Sequence, residues 1–195
     1  MLFRSAKMNA VLAELAPSHK ARRAAERKAW KAKIASWSAE HPLTPPVSDS
    51  EIRPQHLVRE IDRLSGGDAI VCSDVGQHQM WGAQFLRFNR PRLWLSSGGL
   101  GAMGFGLPSA IGAQIANPGA LVFALVGDGG FQMSIPELGT VANNNLPIKI
   151  VVMNNGYLGM VRQWQELFYN NRLSSVALPA CLDRKSTRLN SSHRL

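Results

Sequence analysis

Two polar residues, each closing an apolar run, carry the first chemical signal in the sequence. Residues 121–126 (LVFALV) run into Gly127-Asp128-Gly129-Gly130, and residues 148–153 (IKIVVM) run into Asn154-Asn155. Asn155 follows Asp128 by 27 residues, enough to leave one strand, cross over by a helix and finish the next parallel strand. Both side chains then stand at one edge of a sheet. A carboxylate and an amide oxygen brought together there suit a hard divalent cation such as Mg²⁺, which takes oxygen ligands and keeps positions open for phosphate. Taken singly, each has a plainer reading: Asp128 as a helix cap, Asn155 as a turn residue before Gly156. The pair at this spacing, with glycines on one side and two asparagines on the other, favours metal and diphosphate binding.

Three further groups could add to that chemistry. Gly76-Gln77-His78 follows an apolar strand and opens a helix, where backbone N–H groups and the helix dipole attract an anion; alone, His78 would read as a packed or solvated histidine. Gly99-Leu100-Gly101-Ala102-Met103-Gly104 is a literal G-x-G-x-x-G between a strand and a helix. It supports a rival reading as a dinucleotide site of an oxidoreductase, with Asp128 far enough on to hold a ribose. The tract continues as Gly106-Leu107-Pro108, however, so its glycines precede the helix, and the rival leaves Asn154-Asn155 unexplained. Met160 and Trp164 share a helical face at i and i+4, a spacing that by itself means core packing.

The GDG and NN motifs resemble the C-terminal, diphosphate-binding domain of thiamine diphosphate enzymes. More narrowly, Val75-Gly76-Gln77-His78-Gln79-Met80-Trp81, Ser97-Gly98-Gly99-Leu100-Gly101 and Gly159-Met160-Val161-Arg162-Gln163-Trp164-Gln165 resemble the large catalytic subunit of the acetolactate synthases. The likeness runs from about residue 30 to residue 178. It implies thiamine diphosphate and Mg²⁺ as cofactors, with Asp128, Asn155 and the backbone carbonyl of Tyr157 on the metal. Gln77 and His78 would contact the diphosphate, with Gly76, Gly129, Gly130, Gly159 and Met160 around the cofactor. The carbonyl of Gly101 would accept from the pyrimidine 4′-amino group. Met103 would prop the cofactor in a bent shape, bringing that group near the thiazolium C2 proton so that proximity does much of the catalysis. Met160, Val161 and Trp164 would line a substrate channel.

The implied activity is condensation of two 2-oxoacids, pyruvate with pyruvate or 2-oxobutyrate, with loss of CO₂, in branched-chain amino acid biosynthesis. Other thiamine diphosphate carboligases, oxidases and decarboxylases share the Asp128 and Asn155 signature; residues 77–81 and 159–165 discriminate among them. The resemblance also implies a homodimer or higher oligomer, a regulatory small subunit, and a subunit of three domains of which this chain is about one third. The domain that holds FAD in the family is absent. So is the glutamate that activates the pyrimidine, which the family supplies from its N-terminal domain across a subunit interface; neither Glu137 nor Glu166 sits in the matching motif. No catalytic residue is therefore assigned, and the chain reads as a cofactor-binding module without turnover of its own.

Composition excludes other classes. At 195 residues the chain can bury a real core. Its net charge of +9 would suit nucleic acid. Residues 20–33 supply +6 of it and residues 183–195 the other +3, so the rest of the chain balances and nucleic-acid binding is not expected. The two cysteines, Cys72 and Cys181, have neither metal-ligand spacing nor a disulfide framework and fit a reducing compartment. With no apolar run long enough to span a bilayer and no secretory signal, no membrane contact is expected, and the location is read as cytoplasmic, or plastid in a plant.

The elements that must position these residues alternate. A helix from Ser18 to about Ala39 places Trp30, Ile34 and Trp37 on one face and ends at the prolines of residues 42–46, so residues 1–44 are read as the end of a preceding domain and a helical connector. Residues 8–16 are apolar-rich. Residues 54–64 form a helix with Leu57, Ile61 and Leu64 inward, stopped by Gly66-Gly67. Strands follow at 68–73, 92–95, 121–126 and 148–153, with helices at 77–88, 108–116 and after 126, the last carrying Ser134 and Glu137 in capping-box spacing. Strands alternating with helices predict an α/β fold, a parallel sheet with helices on both faces, over a cofactor domain at 45–182 that is cut short. Leu2-Phe3-Arg4-Ser5 and Asp183-Arg184-Lys185-Ser186 can be encoded by inverted copies of one short DNA segment. Both ends are accordingly read as adaptor-like read-through, with residues 183–195 a non-native tail; different codons at either end would refute this.

Overall fold

The computed structural model of the chain describes residues 16–45, 48 and 51–178. The chain divides into two compact units that meet at Thr44 and Pro45. In the first, helix α1 (Ala16–Glu40) is described. Ser18 lies inside it and not at its start; Pro17 occupies the first turn, where a missing N–H costs nothing. Trp30 and Trp37 meet edge to face at 5.7 Å, and the Lys33 ammonium lies over both rings. With Ile34, they form an exposed apolar stripe. The expectations for residues 1–15 and 179–195 lie outside the described residues.

The second unit is built on four parallel strands, β1 (Ile70–Ser73), β2 (Trp94–Ser96), β3 (Val122–Gly127) and β4 (Lys149–Met153), in the order β2-β1-β3-β4. The helices are α2 (Pro54–Ser65), α3 (Gln77–Phe85), α4 (Gly106–Ala116), α5 (Asp128–Ser134), α6 (Leu138–Asn143) and α7 (Gly159–Phe168). Strand alternation sends side chains to opposite faces. Cys72, Ala124 and Val126 pack with Leu107 and Ala110 of α4 on one face, while Val71 and Leu125 pack with Ile61 of α2 on the other. Burial on both faces explains the near-continuous apolar strands. It also pushes the Cys72 thiol up to about 11, which keeps it protonated and inert.

The register places the site. Ser73 is level with Leu125, and Gly127 with Met153, so the chain leaves β1, β3 and β4 at the same edge. The chain leaves β1 for β2 on one side and returns for β3 on the other. The gap between β1 and β3 is thus a topological switch point, where open α/β sheets bind ligands.

Two local expectations fail. Leu64 is 68% exposed, and the inward face of α2 carries Val58, Ile61 and Asp62. The Asp62 carboxylate accepts hydrogen bonds from the backbone N–H and Nε of Arg87, and this anchor turns Leu64 outward. Nor does Ser134 start a helix: α5 begins at Asp128, directly after β3. The Ser134 hydroxyl donates back to the Gly130 carbonyl, and Pro136, which has no N–H, interrupts the run with a 3-10 turn, Ile135–Glu137, before α6. Among the described residues no helix is long and apolar enough to cross a membrane.

Candidate functional site

A cleft of about 790 Å³ opens at the strand-end edge. Asp128, 4% exposed, sits at the first position of α5. Its Oδ1 accepts the N–H of Gly129 at 2.9 Å and its Oδ2 that of Gly156 at 2.7 Å. The second bond joins the end of β3 to the loop after β4. In that loop Asn154 Oδ1 accepts from the N–H of Gly156, and Asn155 Oδ1 from the N–H of Tyr157 at 3.0 Å. Each of these oxygens keeps a further lone pair. Asp128, Asn155 and Tyr157, the three expected metal ligands, all line the cleft.

The start of α3 forms another part of the wall, with Gly76, Gln77 and His78. Gly76 has φ of 152°, and a Cβ there would stand 2.9 Å from His78 Cε1, so backbone and space both require glycine. His78 is buried, and its Nε2 has no hydrogen-bond partner. Burial holds its pKa below the usual imidazole range, outweighing the pull of Asp74 and Asp128. A buried ring nitrogen without a partner costs free energy unless something fills its bond. Gln77 donates through Nε2 to Gln163 Oε1 of α7 at 2.9 Å. Gly159 comes so close to Gln77 and Asn155 that a side chain at 159 would strike both.

The glycine tract is organised by a residue that sequence reasoning missed. Asp74, fully buried just past β1, accepts the N–H groups of Val75, Gly104 and Gly106. Gly106 is the first residue of α4. A carboxylate thus already occupies the position where the dinucleotide reading would seat a pyrophosphate, and like charge excludes a second anion. Gly101 and Met103, from the same tract, line the cleft beside Gly129 and Gly130. The only hint of Asp74 in the sequence is an acid ending a strand; its partners lie about thirty residues on. Ile52, Pro54 and Leu57, also unassigned from sequence, add an apolar wall.

Met160 and Val161 of α7 line the cleft, whereas Trp164 does not. Trp164 is 56% exposed, stacked at 5.1 Å on Phe168, and α7 buries none of its residues. Trp164 is thus not packed into the core of this unit. Among the described residues lining the cleft, Asp128 is the only carboxylate; Glu166 is paired with Arg162 at 2.7 Å instead.

Residues 74–186 match the family described as thiamine pyrophosphate enzyme, C-terminal TPP binding domain. The match extends past residue 178, where the sequence pattern was read as ending. Over 140 residues, 72% of this chain, it is 53% identical to acetolactate synthase 2, chloroplastic, of Brassica napus. It is 52% identical over 133 residues to acetolactate synthase of Mycobacterium bovis, and 49% over 140 residues to the chloroplastic acetolactate synthase of Arabidopsis thaliana. The aligned part spans 22% of the Brassica protein, 22% of the Mycobacterium protein and 21% of the Arabidopsis protein. With a parallel α/β sheet whose strand-end cleft gathers these motifs, the chain belongs to the thiamine pyrophosphate enzymes, of which it carries the C-terminal, cofactor-binding domain.

Proposed function

We propose that the chain is the thiamine diphosphate- and Mg²⁺-binding portion of an acetolactate synthase. The observation that carries this reading is the convergence, in one cleft, of Asp128 and Asn155 with the unpartnered Nε2 of His78. These groups fit the cofactor. Asp128, Asn155 and Tyr157 line this cleft, and a cation here would take one carboxylate, one amide oxygen and the Tyr157 carbonyl. Such a shell suits Mg²⁺ shared with phosphate oxygens. His78 and the first amides of α3 hold the diphosphate; the Gly101 carbonyl and Met103 orient the pyrimidine; Met160 and Val161 flank the substrate, with Trp164 at the rim.

The chemistry supplied by bound thiamine diphosphate is an electron sink for decarboxylation of a 2-oxoacid. This chain's residues bind and bend the cofactor, and with Asp128 committed to the cation no other carboxyl among the described residues lining the cleft is left to activate the pyrimidine. That acid, the FAD site, the homo-oligomer and any regulatory subunit belong to the whole enzyme, placed in cytoplasm or plastid. Titration calorimetry tests the reading. Thiamine diphosphate should bind only with Mg²⁺, and supplying pyruvate as well should yield no sustained acetolactate. Mg²⁺-independent binding, or preference for a nicotinamide dinucleotide, would overturn it.

A further inference from the structure

We propose that Asp74 is the positioning residue that sets the pyrimidine-side tract of the cleft against its diphosphate-side wall. The inference rests on reading the cleft as a thiamine diphosphate site, but the anchoring itself is a property of the chain without ligand.

Asp74 faces both ways. Its carboxylate takes the Val75 N–H at 2.6 Å, the Gly104 N–H at 3.0 Å from each oxygen, and the Gly106 N–H at 3.1 Å. Its backbone N–H donates to Leu125 O of β3 at 2.9 Å, which fixes it to the sheet. Its backbone carbonyl accepts the Ser73 hydroxyl at 2.9 Å, and Asp74 favours the charged form of the buried His78 ring, against the effect of burial. Main chain therefore fixes Asp74 to the sheet, two residues before the diphosphate-side wall begins at Gly76, and side chain holds the glycine tract.

The tract is pinned at two points only a few residues apart. At its start Ser97 accepts the N–H groups of Gly101, through its carbonyl, and Ala102, through its hydroxyl; at its end Asp74 takes Gly104. Gly101 and Met103 lie within that span. The packing is specific to a carboxyl of this size: a Cβ at Gly130 would stand 2.8 Å from Asp74 Cγ, and one at Gly106 would stand 2.9 Å from Asp74 Cβ. The two glycines let α4 and α5 close on the carboxylate, which excludes water and strengthens its bonds.

Asp74→Asn separates the two roles, because it keeps the main-chain carbonyl but turns an NH₂ toward N–H donors. In the ligand-free chain, hydrogen exchange at the Gly104 and Gly106 amides should speed up about tenfold or more. With Mg²⁺ present, thiamine diphosphate should bind about tenfold more weakly, while inorganic pyrophosphate, which reaches only the diphosphate side, should change less than about threefold. Unchanged exchange, or equal weakening of both ligands, would overturn the proposal. Should the variant not fold, the wild-type chain decides: Gly104 and Gly106 amides exchanging as fast as that of Gly99 would overturn it, and marked protection would support it. If the wild type binds neither ligand, the functional reading fails, and the exchange data still decide whether Asp74 anchors the tract.

Discussion

The strand-end edge and helix α7 both face the cleft, yet they are built differently. At the edge, Asp74, His78 and Asp128 are buried; Asp74 and Asp128 directly follow β1 and β3, and His78 lies in the first turn of α3. Helix α7 has no fully buried residue. It is tied down near its middle, by the Gln77–Gln163 bond and by two bonds between Gln165 and the backbone of Ser174. On the proposed reading, the groups that would hold a charged cofactor are thus part of the core, and those that would face a variable substrate ride on an element whose side chains can change at little cost to stability.

The largest effect that would sharpen this contrast is in the sheet. Leu125 is fully buried in β3 between α2 and α3, and Leu125→Ala should cost about 2–5 kcal/mol in urea unfolding. Asp128→Asn comes next. It keeps the size and can still accept from backbone, but it removes the charge that a divalent cation needs. Mg²⁺-dependent binding of thiamine diphosphate should fall by about 10–100-fold or more, measured by calorimetry. An unchanged affinity would move the cation site away from this edge.

A smaller effect comes from His78. Its folded pKa lies below the unfolded value because burial disfavours the imidazolium. Between the two values the unfolded chain binds more protons, so stability rises with pH through that window. The contribution is complete above about pH 6.5 and is lost as pH falls toward the folded pKa. His78→Gln should remove this slope from unfolding curves taken across that range. A slope that survives would assign it to another group.

The same contrast governs what could be read in the sequence. Apolar runs ending in Asp128 and Asn155 announced the parallel strands because both faces of the sheet are covered, and strand edges fell within a residue or two. Most of the residues picked out by their motifs lie along the cleft for the same reason: strand register carries them there. What stayed hidden depends on contacts between distant segments. Asp74 shows itself only when Gly104, Gly106 and Gly130 close around it, and Leu64 looked inward until Asp62 took Arg87 as a partner. Ser134 and Glu137 had the spacing of a cap, but spacing does not reveal that a helix has already started six residues earlier. Trp164 was ambiguous between core and channel because helical periodicity reports a shared face, not what covers it.

Trp164 gives the smallest expected effect on the fold and the sharpest test of the contrast. More than half exposed and resting on Phe168, it contributes little burial, so Trp164→Leu should change unfolding free energy by no more than about 0.5 kcal/mol. Thiamine diphosphate binding should be unaltered, since the residue lies outside the cleft wall. In the complete enzyme, however, the substitution should shift the preference between competing 2-oxoacid acceptors, because the indole stands one helical turn beyond Met160, which with Val161 is proposed to flank the substrate. A large stability loss would mean that α7 is held by packing after all, and an unchanged acceptor ratio would confine the substrate side to Met160 and Val161.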